Sequence, residues 1–187
     1  MYKISLLLIF STTLNFSAEK KLDINDIHPY YPLNERTLEY KYFESSHSMT
    51  VKFLKEKTIL NEEHYTVKET KYSWGKTKSS YCRLLDGEIV FLDIESKNEH
   101  VNIPRDLSRG YKWSDNENWN YEIIGTNEKM KTPIDKYDNL LVIRAIKLPT
   151  NNDKVKLPIY YNYYKQNIGQ VASFSEGKLL TYLVEVR

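Results

Sequence analysis

Hydrophobic and polar residues alternate with a period of two through most of this chain. Leu38, Tyr40 and Tyr42, for example, are separated by Glu39 and Lys41. A period of two places alternate side chains on the two faces of a β-strand, whereas an amphipathic helix needs a period near ~3.6. Long stretches of helical periodicity are missing. The alternation predicts about ten strands, over residues 37–42, 51–53, 65–67, 81–85, 88–94, 121–124, 140–146, 159–164, 170–174 and 179–186.

Short runs of turn-forming residues separate the predicted strands. Asp86-Gly87 stands between two apolar runs and is typical of a two-residue type I′ turn, in which φ is positive at both positions. Trp74-Gly75 is a further predicted turn tip. One region, residues 96–108, lacks clear alternation, and Pro104–Leu107 indicate a short helical turn there.

Short connections between consecutive strands favour antiparallel pairing, because parallel strands need crossover segments of a dozen or more residues. A twisted sheet with this many strands tends to curl or to close. We therefore predict an all-β fold: an antiparallel meander of about ten strands with few short helical turns. The sheet would form a half-barrel, a barrel or a β-sandwich. Residues 30–187 are expected to form this single domain.

The N-terminal residues have the pattern of a secretory signal peptide. Lys3 supplies a positive charge, residues 4–10 are apolar apart from Ser5, and small residues precede Glu19. We predict cleavage after Ala18, followed by a polar arm over residues 19–29. The apolar run is too short to span a bilayer, so the mature chain is expected to lack a transmembrane span. These features predict an exported, soluble protein of the periplasm or the extracellular medium.

The charge distribution argues against a nucleic-acid partner, and the cysteine content excludes stabilisation by an intramolecular disulfide. The formal net charge is +2, and basic residues are interspersed with acidic ones. Nucleic-acid binding requires clustered Lys and Arg, so we expect no nucleic-acid partner. Cys82 is the single cysteine of the chain. It allows no intramolecular disulfide and no lipid anchor behind the apolar run, and its strand-like surroundings predict a buried, inert thiol.

No catalytic or metal-binding motif emerges from the sequence. The histidines, at positions 28, 47, 64 and 100, do not have metal-ligand spacing. Neither a nucleophile elbow nor a glycine-rich phosphate loop is present. Asp115–Asn118 carry side-chain oxygens, but the alternating ligands and central glycine of an EF-hand loop are missing, which favours a polar turn over a calcium site. We expect no enzymatic activity, no cofactor and no metal.

Aromatic residues are the strongest candidates for a binding role. The chain has 16 tyrosines and 6 glycines. Trp74 lies at a predicted turn tip, and Trp113 and Trp119 bracket the predicted turn at 115–118. Aromatic side chains at loop tips can stack on sugar rings or anchor a partner protein. The alternative is that Trp113 and Trp119 stabilise the sheet as a cross-strand pair.

Three parts of the chain together carry a family resemblance. They are Tyr30–Leu33 with Leu38–Tyr40; Gly110–Trp113; and Tyr163-Tyr164 with Ile168–Val171 and Gly177–Leu179. This pattern resembles a loose class of small exported bacterial proteins, many of unknown function. The resemblance implies a curved antiparallel sheet, similar in kind to that of periplasmic lipoprotein carriers. It implies no catalytic residues.

These observations favour a non-enzymatic exported β-domain that binds a lipid or hydrophobic peptide on a concave sheet face. The residues proposed for that face are Tyr40, Tyr42, Phe53, Phe91, Ile143, Tyr161 and Tyr163. The combined candidates for ligand binding are Trp74, Trp113, Trp119, Tyr161 and Tyr163. An alternative is an envelope interaction module that binds a protein or glycan through aromatic loop tips. A hydrolase of cell-wall polymers would instead need a polar pocket with a strongly shifted carboxylate.

Overall fold

A computed structural model of the chain describes residues 28–115, 118–149 and 157–187. The predicted signal peptide, nearly all of the polar arm, and the middle of the 115–118 turn lie outside the described residues. The described residues form twelve strands. These are β1 (Arg36–Tyr42), β2 (Ser48–Leu60), β3 (Glu63–Tyr72), β4 (Thr77–Leu85), β5 (Glu88–Leu92), β6 (Glu99–Ile103), β7 (Lys112–Asp115), β8 (Trp119–Lys131), β9 (Lys136–Lys147), β10 (Ile159–Lys165), β11 (Gly169–Ser175) and β12 (Lys178–Val186).

The twelve strands form one antiparallel sheet that is nearly closed into a barrel. Consecutive strands are neighbours except for β6 and β7, and β1 pairs with β12. The first and last strands therefore join the two halves of the meander, and β6 and β7 become the two edges of the sheet. We call the gap between these edges the seam. The predicted all-β, antiparallel and strongly curved sheet is confirmed.

All ten predicted strands are present, and the structure adds β6 and β7. Both additional strands are short: β6 has 5 residues and β7 has 4. Val101 and Ile103 are the only large apolar residues of β6, so its alternation is a weak signal. Trp113 is the only large apolar residue of β7. The strands that the alternation did not predict are therefore the two that border the seam.

Local turn chemistry explains one confirmed prediction and one error. Asp86 and Gly87 have φ values of 50° and 85° and connect β4 to β5, as the type I′ prediction requires. The helical turn predicted at 104–107 is wrong, because these residues run without helical structure. Asp106 instead accepts a hydrogen bond from the Ser108 backbone N–H at 2.8 Å, which stabilises a local turn. No helix long and apolar enough to cross a membrane occurs in the described ranges.

Alternate strand positions face the barrel interior and form the core. On β1, buried Leu38 and Tyr40 alternate with Glu39 and Lys41. Residues 28–35, which we call the inserted segment, precede β1 and also contribute to this core. Tyr31 of the inserted segment makes edge-to-face contacts with Phe53 and Phe91, at 5.7 and 6.0 Å between ring centroids. The side chain of Tyr31 thus occupies the interior between β2 and β5.

Candidate functional site

Two cavities lie among the side chains that face the barrel interior, with volumes of about 170 and 360 Å³. Tyr31, Lys68 and Gln170 line both cavities, so the two meet at these residues. Ligand pockets are typically ~300–1,000 Å³, so the larger cavity alone is at the lower end of this range. The core of the barrel is therefore incompletely filled by the protein's own side chains.

Arg36 brings a positive charge into the wall of the smaller cavity. It lies directly opposite Phe53 on β2, and Phe53 lies opposite Lys68 on β3. The residue is 7% exposed, and its guanidinium carbon is 4.5 Å from the centre of the Phe53 ring. In the part of the chain that the structure describes, no group accepts a hydrogen bond from any of its three buried guanidinium nitrogens. Buried polar groups usually have such partners, so this arrangement needs an explanation.

Lys68 places a second positive charge in the same interior. Its ammonium nitrogen is 5.5 Å from the centre of the Phe91 ring and 5.8 Å from that of Tyr31. Burial is the main cause that lowers the pKa of Lys68, and the positive charges of Lys78 and Arg36 add to this effect. Lys78 lines the larger cavity. No Asp or Glu of the described residues lines either cavity.

The Tyr31 hydroxyl is, like the guanidinium of Arg36, a buried hydrogen-bond donor without a protein acceptor among the described residues. Burial is the main cause that raises the pKa of this hydroxyl well above its usual value, so it stays protonated. We call Tyr31, Arg36 and Lys68 the cationic pocket. Because all three side chains offer N–H or O–H groups, the pocket is suited to a ligand that carries hydrogen-bond acceptors.

Aromatic and amide side chains form the walls of the larger cavity. Trp119 contacts Tyr160 with 5.8 Å between ring centroids. Tyr121 also lines this cavity, and its hydroxyl donates a hydrogen bond to the Asp115 carboxylate at 2.9 Å. The remaining aromatic lining residues are Tyr31, Phe91 and Tyr164, and the amide side chains are those of Asn102, Asn162 and Gln170. The walls combine flat apolar surfaces with hydrogen-bonding groups.

The candidate tryptophans of the β7–β8 hairpin have separate roles. Trp119 lines the larger cavity. Trp113 lies opposite Tyr121, and the two rings stack at 5.2 Å with an interplanar angle of 16°. The indole N–H of Trp113 also donates to the Val101 carbonyl at 3.0 Å, across the seam. Trp113 is thus a cross-strand aromatic residue, but its partner is Tyr121 rather than Trp119.

Tyr161 and Tyr163, the two candidates on β10, alternate with residues that line the larger cavity. Tyr160, Asn162 and Tyr164 are the lining residues of this strand. Since successive side chains of a strand point to opposite faces, Tyr161 and Tyr163 lie on the other face of the sheet. Tyr163 packs there against Phe174, with 5.3 Å between ring centroids.

Several other residues proposed for the concave face do line the cavities. Tyr40 and Phe53 line the smaller cavity, and Phe91 and Ile143 line the larger one. The sequence analysis missed Arg36 and Lys68. A signal for Arg36 was available, because it shares its face of β1 with Leu38 and Tyr40. A charged residue in phase with the core positions of a strand is a candidate for a buried functional charge.

Trp74, the remaining candidate, lies in the β3–β4 turn and is 51% exposed. Its ring stacks on Tyr72 at 4.6 Å. Tyr42 and His47 also contact it, at 5.8 and 5.4 Å between ring centroids. We call Tyr42, His47, Tyr72 and Trp74 the aromatic cluster. It leaves about half of one large ring in contact with solvent.

The environment of Cys82 does not activate a nucleophile. Its side chain is fully buried, and its thiol donates a hydrogen bond to the Thr66 carbonyl at 3.7 Å. Burial raises the pKa of the Cys82 thiol to about 12, so the thiolate is scarce at neutral pH. The described residues also contain no cluster of three or more His, Cys, Asp or Glu side chains that could hold a metal ion.

Comparisons with known proteins find solved structures of similar fold, but their descriptions name no activity. No protein-family model matches the chain, and no curated protein matches it. A solved structure described as a candidate lipoprotein from Parabacteroides distasonis ATCC 8503 is similar, with a TM-score of 0.53 and 14% identity over 87% of this chain and 100% of that chain. A candidate exported protein with a YmcC-like fold from Bacteroides fragilis NCTC 9343 gives a TM-score of 0.53 and 13% identity, over 86% and 98% of the two chains.

At these identities the likeness establishes a shared fold alone. The resemblance to small exported bacterial β-proteins is confirmed at that level. Neither description of the two solved structures names a catalytic function.

Proposed function

We propose that this protein is a non-enzymatic, exported binding domain that holds a small amphipathic ligand, such as an acyl chain with a polar end, inside the barrel. The observation that carries the proposal is the incompletely filled interior, where cavities of about 170 and 360 Å³ meet. Protein interiors are normally packed to crystal-like density. An open interior in a nearly closed sheet is therefore typical of a binding site rather than of a structural core.

The lining residues support an amphipathic ligand over a purely apolar one. Leu38, Val51 and Phe53 supply aliphatic and aromatic surface to the smaller cavity. Asn102 and Asn162 place amide groups in the wall of the larger cavity. A ligand of mixed polarity could cover the apolar surface and also satisfy these amides, as most small-molecule sites require. We therefore propose a ligand that has a polar group in addition to the hydrophobic part of a lipid or peptide.

Filling the interior provides a direct test. Ser80 lines the larger cavity, whereas the neighbouring Ser79 is exposed on the opposite face of β4. Ser80→Trp should therefore displace the ligand, and Ser79→Trp is the matched control. Native mass spectrometry of protein purified from its own envelope should detect a bound molecule in the wild type and in the control. A fluorescent fatty-acid probe should bind the same two proteins and be lost from Ser80→Trp.

The outcome that contradicts the proposal is equally concrete. If no molecule co-purifies with the wild type and the fatty-acid probe does not bind, the interior is not a binding site for such ligands. Equal probe binding by Ser80→Trp and Ser79→Trp would place the probe outside the barrel. Thermal unfolding of both variants shows whether either has lost its fold.

The aromatic cluster supports a second candidate function, binding of a glycan or an envelope protein at the β3–β4 turn. The supporting observation is the half-exposed ring of Trp74, held in place by its stack on Tyr72 at 4.6 Å. A preordered, exposed indole is suited to stacking on a sugar ring or to anchoring a partner. Trp74→Ala should abolish capture of an envelope glycan or protein in a pull-down, whereas Ser80→Trp should not affect it.

A further inference from the structure

We infer that the ligand of the interior is an anion, and that the cationic pocket binds its carboxylate or phosphate group. This inference rests on the proposed function, since it identifies the chemical class of the ligand in the same site. Arg36 and Lys68 would supply the positive charge, and the Tyr31 hydroxyl a further hydrogen bond. The remainder of the ligand would extend into the larger cavity.

The first argument is the imbalance between donors and acceptors. The buried guanidinium nitrogens of Arg36 and the Tyr31 hydroxyl find no hydrogen-bond partner in the described chain. An anionic oxygen can accept from several of these donors at once, and a planar guanidinium matches both carboxylate and phosphate geometry. A neutral alcohol or amide would satisfy fewer of them.

The second argument is the sign of the charge in the interior. Arg36, Lys68 and Lys78 line the cavities, and no described Asp or Glu does so. The neighbouring positive charges of Lys78 and Arg36 both lower the pKa of Lys68. Of these three, Arg36 is the buried charge, whereas Lys68 is partly buried and Lys78 is exposed. Taking a charge out of water without an opposite charge costs several kcal/mol, so a buried charge such as that of Arg36 is normally paired or bound to a ligand. An anion would neutralise this otherwise uncompensated charge.

The third argument is the position of the cationic pocket relative to the two cavities. Arg36 lines the smaller cavity, and Tyr31 and Lys68 stand where the smaller and larger cavities meet. A charged group held there would leave the rest of the molecule facing the aromatic wall of Trp119 and Tyr160. The smaller cavity is therefore the proposed site of the anionic group, and the larger cavity that of the ligand body.

Three probes with the same alkyl chain separate the head group from the chain: dodecanoate, dodecyl phosphate and dodecanol. Their affinities for the purified protein would be measured by isothermal titration calorimetry, below the micelle threshold of each anion and below the solubility limit of dodecanol. We expect at least one anion to bind about tenfold more tightly than dodecanol, a difference of about 1.4 kcal/mol. The anion that binds with the higher affinity indicates whether the head group of the natural ligand is a carboxylate or a phosphate.

Matched variants then assign the preference to the cationic pocket. Arg36→Met and Lys68→Met should each reduce the affinity for the preferred anion about tenfold and leave that for dodecanol unchanged. Lys68→Arg keeps the charge and should retain the preference. Lys71→Met is the control on the same strand, because Lys71 is exposed on the opposite face of β3. Thermal unfolding confirms that each variant is folded.

The possible failures of the two proposals are distinguishable. If dodecanol binds the wild type as tightly as both anions, the inference of an anionic ligand is overturned while the binding function stands. An anion preference that survives in Arg36→Met and Lys68→Met overturns the assignment to the cationic pocket. If none of the three probes binds, the proposed function fails and the inference fails with it.

Discussion

The indole N–H of Trp113 donates a hydrogen bond to the Val101 carbonyl at 3.0 Å, across the seam where β6 and β7 lack a backbone ladder. The same ring stacks on Tyr121 of β8 at 5.2 Å. The Trp113 side chain therefore connects β7 to β6, the two consecutive strands that do not pair in the sheet. Unpaired strand edges are prone to pair with other chains, and a side-chain bond across the gap reduces that exposure.

Trp113→Phe should loosen the seam selectively. Phenylalanine preserves an aromatic ring against Tyr121 but removes the donor to Val101. We expect a loss of about 1 kcal/mol in the free energy of unfolding, the usual net contribution of one hydrogen bond. Amide hydrogen exchange should accelerate in β6 and β7 and remain unchanged in β1 and β12. Trp119→Phe is the control, and equal exchange at the seam in both variants would refute this role.

Gly87→Val should destabilise the β4–β5 hairpin. Gly87 has a φ of 85°, a backbone region that β-branched residues resist. A Cβ added there would also lie 3.2 Å from Cγ of Arg105, so that side chain would have to shift. The expected cost is more than about 1 kcal/mol in the free energy of unfolding, measured by denaturant titration.

The neighbouring turn position supplies the control for this prediction. Asp86 also has positive φ, at 50°, and asparagine adopts that conformation readily. Asp86→Asn should therefore leave the midpoint of unfolding within experimental error. An unchanged midpoint for Gly87→Val as well would show that the turn does not constrain the hairpin.

The fold was more predictable from the sequence than the site, because alternation reports which residues share a face of a strand. It identified ten strands and the Asp86-Gly87 turn. It did not identify β6, whose five residues include only two large apolar ones, nor β7 with Trp113 alone. Pairing of β1 with β12 could not be derived either, since contacts between the ends of a chain depend on closure of the whole sheet.

The site was less predictable because alternation alone does not show whether a face is filled or open. The sequence analysis predicts that Tyr161 and Tyr163 of β10 face the barrel interior, whereas Tyr160, Asn162 and Tyr164 line the cavity. Tyrosines occupy both odd and even positions of β10, so the sequence does not indicate which of its two faces points into the barrel. Arg36 was overlooked because charged residues are usually assigned to solvent.

Cys82→Ala should reduce stability modestly and leave ligand binding intact. Its side chain is fully buried, so removal of the sulfur leaves a small void and costs about 1 kcal/mol in the free energy of unfolding. Because the pKa of the thiol is raised to about 12, the native protein should react slowly with a thiol reagent at neutral pH. Rapid labelling under native conditions, compared with the denatured chain, would contradict the burial.

Arg36→Met should stabilise the ligand-free protein. The substitution removes a buried guanidinium whose nitrogens have no acceptor among the described residues and replaces it with an apolar side chain. Burying one charge without a partner costs several kcal/mol, and an apolar side chain of similar size avoids that cost. The lost cation–π contact with Phe53 offsets only ~0.5–2 kcal/mol of this. We expect a gain of about 1 kcal/mol in the free energy of unfolding, measured by denaturant titration.

Arg83→Met is the control, and its effect should have the opposite sign. Arg83 binds Glu99 through Nε at 2.6 Å and Glu63 through Nη1 at 2.6 Å. Its removal leaves Glu99 without its charged partner and should cost about 1 kcal/mol in the free energy of unfolding. If both substitutions destabilise the ligand-free protein equally, the Arg36 charge is already compensated within the fold and has no need of an anion. Opposite signs would identify Arg36 as a charge that the fold retains for a ligand.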